Sequence, residues 1–214
     1  NATLYLGDCM DILPTLARVD AVITDPPYGI GESSKNHKSR NRVQGGKPII
    51  SPDYVRSEWD DAPPSPDLIH SVISAGKVAV LWGGNYFGLP AASKWLVWDK
   101  INSGDFADCE LAWSNLPGAV RIIRHMWNGM LRDSERGTPR VHPTQKPIVV
   151  MRWCIDQAGT PQTILDPFMG SGTTGVACAR MGRAFTGIER ERKYFDIACE
   201  RIARAQAQGQ LLPP

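Results

Sequence analysis

Short runs of apolar residues recur along the chain, and turn residues or helical patterns follow most of them. Because these runs are continuous rather than alternating, we expect strands that are buried on both faces, as in a parallel sheet covered by helices. Several intervening segments have helical spacing or end at a glycine, which is typical of a helix C-terminus. The predicted strands are 21–24, 78–82, 95–98, 163–165 and 184–188, and the predicted helices are 65–76, 148–159, 173–182 and 190–208.

Alternation of strands with helices predicts an α/β fold with a doubly wound, mostly parallel sheet. The chain has 214 residues, of which 42% are hydrophobic, so we expect one domain over residues 1–214 with a substantial core. Two stretches break the alternation. Residues 31–60 are polar, basic and rich in Gly, Ser and Asn, and we expect a mobile basic loop. Residues 102–142 show weak periodicity, and we expect a small insertion outside the sheet.

The net charge of +2 is too small to identify a partner, but the basic residues cluster. One cluster lies between residues 35 and 47 and another between 121 and 146. A solvated loop would explain either cluster alone. Two basic clusters in one chain favour a polyanionic partner. The candidate residues for binding this partner are Lys35, Lys38, Arg40, Arg42, Arg121, Arg124, Arg132 and Arg136.

The cysteine pattern argues against a structural metal or a disulfide framework. The five cysteines are scattered and form no CxxC pair, which fits a reducing cytoplasm and predicts no metal site. We find neither a signal peptide nor an apolar run long enough to span a bilayer. We therefore expect a cytoplasmic protein without a membrane partner.

A glycine-rich turn in "TILDPFMGSGTTGVA" follows a strand that ends at Asp166 and precedes a helix that begins near Thr173. Gly170 and Gly172 permit a tight turn, and the helix N-terminus beyond it attracts anionic groups. The next strand ends in Glu189, where such folds bind ribose hydroxyls. An adenosine-containing ligand is therefore expected. The turn lacks the lysine of a nucleoside triphosphate loop, while a nicotinamide dinucleotide stays open although the GxGxxG spacing is not met.

A second strand, in "AVITDPPYGIG", ends at Asp25 and is followed by two prolines and Tyr28. This composition is also ordinary for a turn that terminates a strand. The position nevertheless suits a ligand, because ligands of doubly wound sheets bind outside the carboxyl ends of the strands.

Together, four motifs resemble the S-adenosylmethionine-dependent DNA amino-methyltransferases, and the resemblance covers nearly the whole chain. The motifs are "LGDCMDIL" (6–13), "DPPY" (25–28), "HPTQKP" (142–147) and "DPFMGSGTT" (166–174). The catalytic motif precedes the cofactor motif, which is the circularly permuted order of the beta class. The resemblance implies a Rossmann-like methyltransferase fold, target recognition by residues 102–140, double-stranded DNA as substrate, and a bacterial or phage restriction-modification setting. Family members often form homodimers, and the sequence marks no interface.

The resemblance gives the DPPY motif its catalytic role. Asp25 and a backbone carbonyl near Pro26 and Pro27 would accept the two hydrogens of an exocyclic amino group, which frees the nitrogen lone pair to attack a sulfonium methyl. The prolines would fix the acceptor carbonyl in place. Tyr28 would stack on a base that has been flipped out of the duplex.

The resemblance also assigns cofactor contacts. Asp8 would lie near the adenine of S-adenosylmethionine, although a surface acid in a turn is the alternative, and Thr144 and Lys146 would bind the methionine carboxylate. Phe168 would pack against the cofactor, with a core role as the alternative. The remaining cofactor residues are Asp166, Pro167, Gly170, Ser171, Gly172, Thr173 and Glu189, and the product would be S-adenosylhomocysteine.

The resemblance leaves more than one candidate substrate. In the family, Asp at the head of the motif favours adenine, Ser favours cytosine, and a related class that methylates protein glutamine has Asn. Methylation of the cytosine ring carbon needs a nucleophilic cysteine, usually after a proline, and none of the five cysteines follows one. RNA as substrate, and a non-catalytic DNA-binding module, stay open as alternatives.

Overall fold

The computed structural model describes residues 1–30, 43–44, 47–48, 62–101, 107–128, 131–137, 141–142 and 144–210. The strands are β1 (Ala2–Leu6), β2 (Val19–Thr24), β3 (Val43–Gln44), β4 (Lys47–Pro48), β5 (Gly76–Trp82), β6 (Trp95–Asp99), β7 (Cys109–Ser114), β8 (Arg121–Arg124), β9 (Trp127–Asn128), β10 (Leu131–Arg132), β11 (Thr163–Asp166) and β12 (Ala184–Glu189). The helices are α1 (Cys9–Ile12), α2 (Pro66–Ser74), α3 (Ile148–Gln157), α4 (Thr173–Arg180) and α5 (Arg192–Gln210), with short 3-10 helices at Leu13–Thr15 and Gly84–Tyr86.

Within the described residues, eight strands form one sheet in the order β1-β12-β11-β2-β5-β7-β6-β8. The first five are mutually parallel, β7 runs antiparallel to both of its neighbours, and β8 is parallel to β6. From β11 the chain winds outward through α4 to β12, and from β2 it winds the other way through α2 to β5. The strand order therefore reverses between β11 and β2. This confirms the doubly wound fold, and it puts a ligand crevice at that point.

Both faces of the sheet are covered, as the continuous apolar runs predict. Ile23 packs with residues of α3, α4 and α5, whereas its neighbour Val22 packs with Val72 of α2 and with Cys9 and Leu13 on the other face. Successive side chains of a strand point to opposite faces, so a strand buried twice must be apolar throughout.

All five predicted strands are present, as β2, β5, β6, β11 and β12, and the predicted helices correspond to α2, α3, α4 and α5. Gly76 was expected to end a helix but is the first residue of β5, two positions beyond the end of α2. Glycine is needed at this position because β5 packs closely against β2: a Cβ at Gly76 would lie 2.9 Å from the backbone nitrogen of Val22.

The expectation that residues 102–142 lie outside the sheet is wrong for two segments of that stretch, Cys109–Ser114 and Arg121–Arg124. β7 is the antiparallel strand between β5 and β6, with Ala112, Trp113 and Ser114 buried, and β8 is the edge strand of the same sheet. β7 changes from exposed at Cys109 to buried at its last three residues, and three of the four residues of β8 are exposed, unlike the buried runs of the central strands. The expected mobile loop, 31–60, lies outside the described residues apart from the backbone of β3 and β4.

Among the described residues, no helix has the length and apolar character needed to cross a bilayer.

Candidate active site

A cavity of about 270 Å³ opens at the carboxyl ends of β11 and β2, where the sheet order reverses. It brings together most of the predicted site residues from distant parts of the chain. Those that line it are Asp8, Asp25, Pro27, Thr144, Lys146, Asp166, Phe168, Gly170, Ser171, Thr173 and Glu189. Four other predicted residues lie in the DPPY turn or the glycine-rich turn but do not line the cavity. They are Pro26, Tyr28, Pro167 and Gly172.

Asp166 fastens the glycine-rich turn to the sheet. Its carboxylate accepts hydrogen bonds from the hydroxyls of Thr24 and Thr174, both at 2.6 Å, and from the backbone N–H of Phe168 at 3.2 Å. Burial raises the pKa of Asp166 to about 6, although these hydrogen bonds oppose the shift. Because Thr24 ends β2, this carboxylate also joins the DPPY turn to the glycine-rich turn.

The turn itself is held from the other side by α5. The Arg201 guanidinium donates to the carbonyl oxygen of Ser171 at 2.5 Å and to its hydroxyl at 2.9 Å. Gly172 has φ +79°, and a Cβ there would lie 2.9 Å from the Cβ of Ala198 on α5. Only glycine fits both the backbone conformation and the packing at this position.

Glu189 and Asp8 lie at the ends of neighbouring strands. Leu6 pairs with Glu189 in the β1–β12 ladder, and the N–H of Gly7 donates to the carbonyl of Glu189 at 3.0 Å. The Glu189 carboxylate accepts from the N–H groups of Gly170 and Glu191 at 2.9 and 2.7 Å. Burial raises its pKa, and these N–H groups oppose the rise. Asp8 caps α1 through the N–H of Met10 at 2.8 Å while also lining the cavity.

Asp25 is the centre of the DPPY turn. The Tyr28 hydroxyl donates to one carboxylate oxygen at 2.6 Å, and the Lys146 ammonium donates to the other at 2.5 Å. Burial raises the pKa of Asp25, with Lys146 opposing the rise. Burial and the Asp25 charge hold the pKa of Tyr28 well above 10, so its hydroxyl stays a donor. The Tyr28 ring already stacks on Tyr86 with centroids 5.0 Å apart, a contact that the sequence did not indicate.

Lys146 is placed differently from the expectation. It lines the cavity, but its ammonium group pairs with Asp25 and, at 3.0 Å, with Glu110 of β7. Glu110 also pairs with Lys100, which follows β6. Burial alone would raise the pKa of Glu110, but the two ammonium groups lower it to about 2. Sequence reasoning missed Glu110, because no local motif contains it and its partner Lys146 lies far along the chain.

The HPTQKP segment closes one side of the cavity. His142 packs edge-on against Tyr194 of α5 with centroids 4.3 Å apart, and its Nδ1 lies 3.1 Å from the Thr144 hydroxyl. Glu135 accepts a hydrogen bond from the N–H of Ile148 at 2.8 Å and so caps α3. These contacts fix the segment that carries Lys146.

None of the predicted DNA-binding residues that the structure describes lines the cavity. Arg121, Arg124 and Arg136 are exposed, and Arg124 pairs with Asp99 at 3.2 Å. The Arg132 guanidinium lies over the Trp127 ring at 4.9 Å. Lys35, Lys38, Arg40 and Arg42 lie outside the described residues. No group of three or more His, Cys, Asp or Glu that could hold a metal ion occurs among the residues that the structure describes.

A comparison with family models identifies the chain. Residues 94–200, half of its length, match the N6/N4 methyltransferase model, whose description is DNA methylase. The chain belongs to the DNA methylase family. This matches the family indicated by the four sequence motifs, and the matched stretch includes Glu110, HPTQKP and the glycine-rich turn.

Two curated proteins similar to this chain are named as type II methyltransferases. The type II methyltransferase M2.LlaDCHI of Lactococcus lactis subsp. cremoris is 40% identical over 89 residues, which are 41% of this chain and 33% of that protein. M2.DpnII of Streptococcus pneumoniae is 41% identical over 81 residues, 37% of this chain and 30% of that protein. The chain thus matches about a third of the length of these curated relatives.

Solved structures match this chain over nearly its whole length. The crystal structure of the M1.HpyAVI–SAM complex has a TM-score of 0.59 at 25% identity and covers 94% of this chain and 100% of that one. The cytosine-N4-specific PvuII DNA methyltransferase has a TM-score of 0.58 at 15% identity, covering 97% and 92%. The second likeness shows the fold alone, a Rossmann-like methyltransferase sheet.

Proposed function

We propose that the protein transfers a methyl group from S-adenosylmethionine to the N6 amino group of adenine in double-stranded DNA. The observation that carries the proposal is the position of Asp25. Its carboxylate lies at the end of β2, in the same cavity as the glycine-rich turn and Glu189. A group that binds the target amino nitrogen and a group that binds the cofactor are thereby adjacent, as direct transfer requires.

The cavity residues fit S-adenosylmethionine. Asp8 and Glu189, at the ends of β1 and β12, supply carboxylate oxygens for ribose hydroxyls and for the adenine edge. The N-terminus of α4 and the turn before it supply backbone N–H groups for the methionine carboxylate. S-adenosylmethionine supplies an electrophilic sulfonium methyl group, so the protein needs no covalent nucleophile of its own.

The chain's own residues then prepare the amino nitrogen. Asp25 accepts one N–H of the target base, and the backbone carbonyl between Pro26 and Pro27 accepts the other. Both hydrogen bonds favour a tetrahedral nitrogen whose lone pair points at the methyl group. The two prolines hold the acceptors in place before the base arrives, which lowers the reorganisation needed in the transition state.

Adenine is favoured over cytosine because Asp25, and not a serine, heads the motif. The experiment that tests the proposal is incubation of the protein with unmethylated duplex DNA and labelled S-adenosylmethionine, followed by digestion and mass spectrometry of the nucleosides. We expect N6-methyladenine. N4-methylcytosine would keep the chemistry and overturn the choice of base. Cofactor binding without any methylated nucleoside would overturn DNA as substrate and direct the assay to RNA and protein.

A further inference from the structure

Four charged side chains form a largely covered cluster beside the DPPY turn, and only Lys146 among them is fully buried. The Lys146 ammonium lies 2.5 Å from the Asp25 carboxylate and 3.0 Å from Oε2 of Glu110, while Lys100 pairs with Oε1 of Glu110. The Lys146 side chain is only 6% exposed. A buried ammonium group needs carboxylate partners, and here it is shared between two of them.

We propose that Glu110 is a positioning residue that acts on Asp25 through Lys146. The Lys146 ammonium group pairs with Glu110 as well as with Asp25. Lys146 therefore neutralises the Asp25 carboxylate less than it would if Asp25 were its only partner. The Asp25 carboxylate thereby stays a strong hydrogen-bond acceptor for the amino group of the target base. Lys100 holds Glu110 from its other oxygen, so that Oε2 faces Lys146. This inference rests on the methyl transfer proposed above.

The elements around Lys146 define the other groups that face it. The Tyr28 hydroxyl, after β2, lies 3.3 Å from the ammonium nitrogen, and the ring of Trp82, at the end of β5, lies 5.4 Å away. Neither group carries a charge that could replace Glu110. Glu110→Gln removes the direct repulsion by which Glu110 raises the pKa of Asp25, and it also leaves Lys146 to Asp25 alone. The pKa of Asp25 therefore falls and its carboxylate becomes a weaker acceptor. In Lys146→Met the pKa of Asp25 moves the opposite way.

The test compares Glu110→Gln with Asp108→Asn, which removes the same charge from an exposed position just before β7. For Glu110→Gln we expect kcat to fall by about tenfold or more, an unchanged KM for S-adenosylmethionine, and an acid limb of the kcat–pH profile that moves to lower pH. Asp108→Asn should match the wild type. Glu110→Asp, which keeps the charge, should move the limb back towards the wild-type position. A Glu110→Gln protein with wild-type kcat and acid limb would overturn the inference.

A double-mutant cycle separates action through Lys146 from general damage to the fold. In the Lys146→Met background, Glu110→Gln should move the titration of Asp25 by less than in the wild type, because only the direct repulsion between the two carboxylates then remains. The NMR signal of the Asp25 carboxyl carbon follows this titration. An equal shift in both backgrounds would overturn the inference. The NMR titration needs no methyl transfer. A wild type that methylates no DNA would therefore refute the proposed function, while the Asp25 titrations would still decide the role of Glu110.

Discussion

The Asp166 carboxyl group links the two halves of the candidate active site, and its burial makes it sensitive to pH. Its pKa rises from 3.8 to about 6 on folding, so the folded state binds the proton more tightly than the unfolded chain. The stability that this proton contributes is complete below pH 3.8 and is lost as the pH rises through 6.

We therefore expect the unfolding free energy of the wild type, relative to Asp166→Asn, to decrease as the pH rises across this window. The expected change is about 3 kcal/mol, from 1.36 kcal/mol per pKa unit. Denaturant unfolding at a series of pH values measures it. If the unfolding free energies of the wild type and Asp166→Asn changed in parallel with pH, the raised pKa of Asp166 would be contradicted. Asp20 is an opposite-sign control, since the hydrogen bond from Lys77 lowers its pKa to about 2 and its contribution is lost as the pH falls.

At the residue scale, the sequence predicts acids at strand ends well and buried ion pairs poorly. Asp25, Asp166 and Glu189 each end an apolar run, and parallel strands bring their carboxyl ends to one edge. Glu110 has no such signal, because its importance comes from Lys146 and Lys100, which reach it from other elements. The stacking of Tyr28 on Tyr86 is missed for the same reason.

At the scale of elements, the turn after β5 supports the DPPY turn through Gly83. This residue has φ +68°, and a Cβ there would lie 2.1 Å from Cε1 of Tyr28. Gly182 has a similar φ of +66° but nothing within 4 Å of its Cβ position. The two glycines thus share the backbone conformation and differ in what a side chain would strike.

Gly83→Ala and Gly182→Ala should each lose about 1–2 kcal/mol of stability from the left-handed backbone. Only Gly83→Ala should also displace Tyr28 and with it Asp25, lowering the methylation rate by about 10²-fold. Thermal unfolding and a methylation assay on both variants check this. Equal activity in the two variants would show that the Tyr28 contact is dispensable.

Whether an element could be predicted depended on its place in the sheet. Central strands such as β2 and β11 are continuous apolar runs and were predicted, with ends that differ by one or two residues. β7 and β8 were missed because each exposes part of its length, and β8 at the edge carries Arg121 and Arg124 beside the exposed Ile122. Pairing with distant strands, and not local propensity, decides their structure.

At the scale of the whole molecule, the direction of β8 puts one basic residue on the same side as the cavity. Arg124 pairs in register with Asp99 at the carboxyl end of β6, a strand that runs in the same direction as β2 and β5. Its side chain is 74% exposed. An arginine in this position suits contact with a DNA phosphate, which would add to affinity without specifying sequence.

Arg124→Gln should weaken DNA binding to a similar degree on all sequences and reduce the slope of log K against log salt by about 1. Arg204→Gln, on the exposed side of α5, removes the same charge and should change neither quantity. Fluorescence anisotropy over a range of salt concentrations measures both. An unchanged salt slope for Arg124→Gln would remove this residue from the DNA interface.

We propose that Asp25 prepares the target amino group for methyl transfer in the cavity it shares with the candidate cofactor residues. The most direct test compares wild type with Asp25→Ala for methyl transfer, S-adenosylmethionine affinity and DNA affinity in the same preparation. We expect N6-methyladenine from the wild type and a rate at least about 10²-fold lower in the variant, with both affinities retained. Methyl transfer at the wild-type rate by Asp25→Ala would contradict this role of Asp25.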